Sequence, residues 1–217
     1  MNGHPFLRPG DRPLVLASRS PRRAEILRAQ GLDFTVQPAG IDETVLDDET
    51  PAAHVCRLAL EKARAVAADH PDAMVLGSDT VVVIDGEILG KPEDEAEARA
   101  MLRRLAGREH AVYSSAALVT DGTQGVDHDV TRVRFRELDH VEIAAYVASG
   151  EPMDKAGAYG IQQRGALLVA GIDGCYFNVM GLPLQAFRRV WIEVVGPIAG
   201  HPAGPANPTD TGTGGSA

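Results

Sequence analysis

The chain has 217 residues, 44% hydrophobic and 24% charged, enough for one domain with a sizeable core, arranged in one or two lobes. Its net charge of −9 lacks the basic footprint of a nucleic-acid binder, so any local cluster of Arg and Lys is informative. Two cysteines in unrelated contexts, Cys56 and Cys175, give no disulfide framework and point to a reducing, cytoplasmic compartment, and no apolar run approaches a signal core or a membrane span.

Residues 1–13 read as a leader of little order. Leu14 to Ala17 reads as a buried strand that stops at Ser18-Arg19-Ser20. Pro21 then opens an amphipathic helix. Ser20 is its expected N-cap, and proline at the first helical position needs no N–H partner. Gly31 closes the helix as a C′ residue. Arg22 and Arg23 therefore fall in the first turn, where the macrodipole is positive and each cation costs about 0.3–1 kcal/mol. Two readings meet that conflict. Either both arginines are solvated, or an anion sits against free amides and two guanidinium forks.

Phe34 to Gln37 is a short strand leading into a loop with adjacent acids, Asp42 and Glu43. Thr50-Pro51 starts a helix running to about Asp69. Val55, Leu58, Ala59 and Val66 form its apolar stripe, and Lys62 lies on the same face. The lysine either snorkels to water or points into a cleft at the edge of the core. Met74 to Ile84 reads as a buried strand interrupted by Asp79, which is costly unless paired, hydrogen-bonded or set at a cleft. Asp85-Gly86 is a hairpin signal. Its register pairs Ile84 with Glu87 and, if extended, Thr80 with Lys91. That brings Lys91 near Asp79, although pleating puts Asp79 on the other face.

Glu93 to Ala106 is a third helix, with its acids at the N-terminal end as the dipole favours. Ala111 to Val119 is a strand, followed by a turn at Asp121-Gly122. Val130 to Leu138 alternates, with Val133 and Phe135 on one face and Arg132, Arg134 and Arg136 on a solvent face. Asp139 and Glu142 form a capping-box pattern. Gly150 to Gly165 is polar, glycine-rich and long, as binding loops are. Strands over Ala166–Ile172 and Tyr176–Val179 follow, with a turn at Asp173-Gly174. A last helix carries Phe187, Val190, Trp191 and Val194. Residues 196–217 have little to bury and are expected to be disordered. The seven histidines are scattered and read as structural or surface residues.

Arg22, Arg23, Lys62 and Lys91 could balance the roughly four negative charges of a triphosphate. Asp79, Asp42 and Glu43 would suit a hard divalent metal that bridges phosphates. A carboxylate with an ordinary pKa of about 3.9 is a weak base, so a proton acceptor on this strand calls for burial or a metal-activated water. Tyr159 and Gln162 are candidates to stack on and hydrogen-bond a base. No Walker loop, Gly-x-Ser-x-Gly elbow or two-histidine metal motif is present.

Five stretches taken together resemble the motifs of the Maf family. They are Leu16–Leu27, Gly77–Val82, Ile88–Pro92, Asp154–Gln162 and Asn178–Leu184, in order and in register from about Leu14 to Val194. The resemblance implies a nucleoside triphosphate pyrophosphatase that cuts between the α- and β-phosphates. The implied fold is α/β, a mixed, elongated sheet flanked by helices in two lobes with a central cleft, similar to inosine triphosphate pyrophosphatases. One catalytic domain would span residues 14–195. A divalent metal, Mg²⁺ or Mn²⁺, and a homodimer are implied, with a nucleotide substrate and neither nucleic acid nor membrane as partner.

Residue by residue, the resemblance places the proton acceptor at Asp79. It puts Ser18, Arg22, Arg23, Glu43, Lys62 and Lys91 at the other active-site positions, with Asp79 and Glu43 on the metal. Arg22, Thr80 and Gln162 fall where substrate choice is set. The Lys155-to-Gln162 loop looks like the branch acting on dTTP and UTP, with CTP and modified uridine nucleotides as further candidates. The sister branch, similar to a 7-methyl-GTP pyrophosphatase, has a different loop. A glutamine amide suits the O4 and N3–H edge of uracil or thymine. Two positions depart from the pattern: Gln163 replaces a usual glycine, and Cys175 a usual polar residue. Other classes remain: a nucleotide-sensing regulator of septum formation with little turnover, and a nucleic-acid binder using the arginine stripe.

Overall fold

The computed structural model describes residues 6–7 and 12–197. Most of the expected leader and nearly all of the expected tail lie outside them. Within the leader, Leu7 is buried in the core.

Among the described residues, seven strands form one mixed sheet. They are β1 (Leu14–Leu16), β2 (Thr35–Val36), β3 (Met74–Ile84), β4 (Glu87–Leu89), β5 (Glu109–Thr120), β6 (Thr123–Phe135) and β7 (Val169–Asp173). The helices are α1 (Pro21–Ala29), α2 (Pro51–Ala67), α3 (Glu95–Leu105), α4 (His140–Ala148), α5 (Tyr176–Met180) and α6 (Leu184–Val195). The strand order is β2-β1-β3-β5-β6-β7, with β4 added to β3. β1 is parallel to both β2 and β3, and the remaining pairs are antiparallel.

β3 organises the molecule. Along one edge, β1 pairs with its first three residues, Met74–Leu76, and β4 with its last three, Val82–Ile84. The edge between them, residues 77–81, has no partner strand among the described residues. Both flanking strands turn away there, β1 into Ser18 and α1, β4 into Gly90 and Lys91. A cleft opens where neighbouring strands diverge, as at the switch points of other α/β sheets.

The core divides at the same place. Met74 and Leu76 pack with residues of α1 and α6, including Ile26, Leu27, Phe187 and Trp191. Val82 and Ile84 pack with residues of α3 and α4, including Leu102, Leu105, Ile143 and Val147. Between these two lobes the sheet carries a polar waist, Ser78, Asp79 and Thr80 on β3 against Ser114 and Ser115 on β5. On the opposite face, α2 covers Val75 and Val81.

α2 forms as its stripe predicts. Thr50 accepts a hydrogen bond from the Ala53 amide at the N-terminus, and Val55, Leu58, Ala59, Lys62 and Val66 are all buried. It lies very close to β3 because residue 77 is glycine. A Cβ there would overlap the carbonyl oxygen of Ala59. Gly77→Ala is therefore expected to lower stability by about 1–3 kcal/mol through overpacking and to displace α2, which carries Lys62. Denaturant unfolding reads the change, and an unchanged midpoint would contradict this packing.

Several local expectations hold. α1 ends in a Schellman motif, with the Gly31 amide on Arg28 O and the Leu32 amide on Leu27 O. Asp139 and Glu142 form a full capping box. The Asp85-Gly86 hairpin has the expected register, but its ladder stops at Val82↔Leu89, short of Thr80 and Lys91. Arg132 and Arg134 are exposed, and Arg136 pairs with Glu142.

Three expectations are corrected. Ser20 occupies the N-cap position of α1, yet its side chain makes no capping bond; instead its amide donates to Ser18 Oγ. The expected strand over Ala166–Ile172 is a 3-10 turn to Leu168 followed by β7. Tyr176–Val179 is helix, not strand. A short apolar run has no decisive period. The helical turn is set by contacts beyond the run, since buried Asn178 donates through Nδ2 to Val112 O and Thr131 Oγ1.

Candidate active site

The cleft at the polar waist holds about 830 Å³ and is lined by the nine residues that the resemblance assigns to the site, Ser18, Arg22, Arg23, Glu43, Lys62, Asp79, Thr80, Lys91 and Gln162, and by Asp42 and Tyr159. That volume suits a ligand of nucleotide size. Cationic side chains from Arg19, Arg22, Arg23, Lys62, Lys91 and Lys155 line it, against the carboxylates of Asp42, Glu43, Asp79 and Asp154. The cleft is thus locally basic in a chain of net charge −9, which focuses an anionic ligand on it.

Asp79 is fixed by the pleat. With Gly77 and Val81 it faces α2, where Lys62 Nζ donates to Asp79 Oδ1 at 2.6 Å. Lys62 also meets Glu43 Oε1 at 2.7 Å, so one buried ammonium bridges the two carboxylates. Asp79 Oδ2 has no protein donor among the described residues. Burial alone would raise the pKa of Glu43, but the hydrogen bond and charge of Lys62, with help from Lys91, hold it below its ordinary value. Lys91 lies 3.9 Å from Glu43. The hairpin therefore delivers Lys91 to the acidic loop rather than to Asp79. Asp42 stands beside this group and folds the loop, its Oδ1 accepting from the amide and hydroxyl of Thr44.

On the other face of β3, Arg23 is buried. Its Nε donates to Gly181 O at 2.7 Å, one terminal nitrogen to Ser18 Oγ at 3.0 Å and the other to Thr80 Oγ1 at 3.1 Å. All three acceptors are neutral. Burial lowers its pKa, with Asp79 opposing that shift, and two of its five N–H groups remain for a ligand. Ser18 Oγ accepts from Arg23 and from the Ser20 amide, which leaves its own hydrogen free to donate. The amides of Arg22 and Arg23 take no protein acceptor among the described residues. These unsatisfied donors resolve the dipole conflict of α1: its first turn is built to receive an anion.

Arg22 is placed differently. It forms an ion pair at 2.9 Å with Asp154, in the glycine-rich loop of the opposite lobe. The pair spans the cleft that Gln162 also lines. Tyr159, within that loop, is buried, its hydroxyl 2.8 Å from His110 Nε2 and its ring edge-on to those of His110 and Phe135. Burial pushes the His110 pKa down to about 4, so the imidazole is neutral at physiological pH.

Sequence reasoning missed the supports behind these residues. Gly181 provides one carbonyl to Arg23 and Ser78, in a left-handed conformation with φ of 110° that favours glycine. Ser114 donates to Asn178 O and so accepts from the Thr80 hydroxyl. His54, read as structural or surface, lines the cleft, and Nδ1 of its ring lies 2.9 Å from Glu49. The departure at Gln163 has a backbone meaning: its φ is 52°, a conformation that glycine adopts without strain. Cys175 joins Thr131 through its backbone amide and carbonyl, contacts that do not depend on the side chain.

No described helix is long and apolar enough to cross a membrane. Curated relatives cover most of the chain. A dTTP/UTP pyrophosphatase of Moorella thermoacetica is 61% identical over 173 residues, 79% of this chain and 89% of the relative. One from Symbiobacterium thermophilum is 52% identical over 85% of this chain and 95% of the relative. One from Syntrophus aciditrophicus is 54% identical over 79% and 85%. Among solved structures, a HAM1 protein from Coxiella burnetii matches 57% of this chain and 73% of its own at 22% identity, with a TM-score of 0.40. The Maf-like protein family matches residues 13–194, so the chain belongs to the Maf family.

Proposed function

We propose that this chain is a nucleoside triphosphate pyrophosphatase that hydrolyses dTTP and UTP to the monophosphate and pyrophosphate. The observation that carries the reading is the pairing of two half-sites across β3. On one face Asp79 presents an unengaged carboxylate oxygen, and on the other Arg23 presents unengaged N–H groups to an anion. The names of the relatives support the choice of nucleotides.

In this reading, water adds across the anhydride that joins the α- and β-phosphates. Asp79 accepts the proton of that water through Oδ2, while Lys62 holds its Oδ1 in place. The P–O bond breaks with its electron pair leaving on pyrophosphate. Arg23, the first-turn amides of α1, Ser18 Oγ and Lys91 surround the charge that develops, as preorganised donors do in phosphoryl transfer. Gln162 reads the base through its amide.

A divalent cation fits these residues. Asp79 and Glu43 meet at the Lys62 ammonium, which leaves the second oxygen of each for a cation; no group of three or more His, Cys, Asp or Glu able to hold a metal exists among the described residues. Magnesium commonly takes one or two carboxylates and completes its shell with water and substrate phosphates. When bound, the cation would neutralise phosphate charge and make water more acidic.

A nucleotide panel scored for pyrophosphate tests the proposal. Release from dTTP and UTP, with Mg²⁺ or Mn²⁺ added, is the expected result. Arg22→Ala should shift the preference among nucleotides, because Arg22 reaches the base-side loop. Arg23→Ala should lower turnover on all of them. No release from any nucleotide would overturn the proposal, and binding without turnover would favour a sensing role. Equal losses on every substrate for both variants would remove the distinction between the arginines.

A further inference from the structure

The acidic loop that delivers Glu43 has little apolar anchoring, with Ala39 packed against the core beneath α2. It carries no regular secondary structure from residue 37 to residue 50, and its apolar residues Val45 and Leu46 are exposed. Its position depends on polar contacts to α2. Arg57 makes a two-pronged ion pair with Glu49, Nε to Oε1 at 2.6 Å and a terminal nitrogen to Oε2 at 2.8 Å. The same terminal nitrogen donates to Thr44 O at 3.0 Å, one residue beyond Glu43. Glu49 Oε2 also accepts the Leu46 amide at 3.2 Å, and His54 Nδ1 approaches it at 2.9 Å. The Glu49 side chain is 7% exposed and that of Arg57 22%, unlike a solvated surface pair. Neither residue lines the cleft.

We infer that the Arg57–Glu49 pair is a positioning clamp, which docks the acidic loop on α2 so that Glu43 reaches Lys62. The inference rests on the proposed pyrophosphatase reading and deepens it. α2 carries both Arg57 and Lys62, so the two partners of the Glu43–Lys62 contact are set by one rigid element. Planar two-pronged geometry is what arginine provides and lysine does not. Burial tends to raise the Glu49 pKa, yet Arg57 foremost, with His54 and the Leu46 amide, brings it down to about 2. The clamp is therefore charged at neutral pH.

A double-mutant cycle between Arg57 and Glu43 tests this, since residues that act through one another are not additive. Arg57→Leu is expected to lower kcat on UTP by about 10–100-fold, the scale of a displaced catalytic group, while KM changes little. Glu49→Gln, which keeps the shape of the side chain, should give a smaller loss in the same direction. In a Glu43→Gln background, Arg57→Leu should cost nothing further. Amide exchange gives a readout that needs no turnover: exchange at Thr44 and Leu46 should rise in both clamp variants, while α2 remains protected. The inference is overturned if Arg57→Leu and Glu49→Gln keep kcat within about twofold, if the losses multiply in full with Glu43→Gln, or if exchange in the loop is unchanged. A wild-type chain that turns over no nucleotide would defeat the pyrophosphatase reading, and amide exchange would then decide the clamp alone.

Discussion

Asp79→Asn is expected to cut kcat for pyrophosphate release by about 10²–10⁴-fold, the usual worth of a positioned general base. Asparagine fills the same volume and still offers a carbonyl oxygen to Lys62, so the fold should survive. Lys62 also keeps Glu43 as a partner at 2.7 Å. What is lost is the basic oxygen facing the cleft. Steady-state turnover of UTP beside an unfolding curve separates the two effects. A variant within tenfold of the parent would remove Asp79 from the role of proton acceptor.

Lys62→Met is expected to act on stability as well as on activity. Its ammonium is buried, and Asp79 opposite is 6% exposed. Removing the cation leaves a carboxylate in the protein interior without its partner, which costs about 3–5 kcal/mol. Glu43 is half-exposed and can turn to solvent; Asp79, held in the middle of a strand, cannot. A second change should reveal the cause. Lys62→Met combined with Asp79→Leu removes both charges, and such apolar replacements of a buried pair are often neutral or stabilising. The double variant should regain most of the lost stability while remaining inactive. If it is no more stable than Lys62→Met, the loss came from packing of the lysine stem and not from the orphaned charge.

Much of this site was legible because its residues violate local rules. Asp79 interrupts an apolar run, Lys62 sits on an apolar stripe, and two arginines occupy the wrong end of a helix. Each conflict is visible in a window of a few residues, and each resolves at the cleft. The supports were not legible for the converse reason. Ser78, Ser114 and Ser115 look like ordinary strand residues, and Arg57 looks like one more cation on a helix. Their roles depend on contacts with residues 60 or more positions away for the serines and on an irregular loop for Arg57, which no periodicity reports. The helix at Tyr176–Met180 was hidden in the same way, since five residues carry too little pattern to tell helix from strand. Lys91 shows the limit of extrapolating a register: the hairpin is right over three pairs and then ends.

The unpartnered stretch of β3 also has a mechanical consequence. In many two-lobed enzymes a flexible linker joins the halves, and closure is a swing about it. Here the halves share their backbone. β3 and β5 run unbroken from one lobe through the waist to the other, paired along nine consecutive positions. Separating the lobes would mean bending a hydrogen-bonded ribbon across its length, so wide hinge opening is disfavoured. Adjustment to a ligand falls instead to the parts that lie outside the ribbon's ladder: the acidic loop, the Arg22–Asp154 ion pair and the glycine-rich loop. Selectivity in such a cleft comes from the fit of a nearly fixed groove, with only its rim free to move.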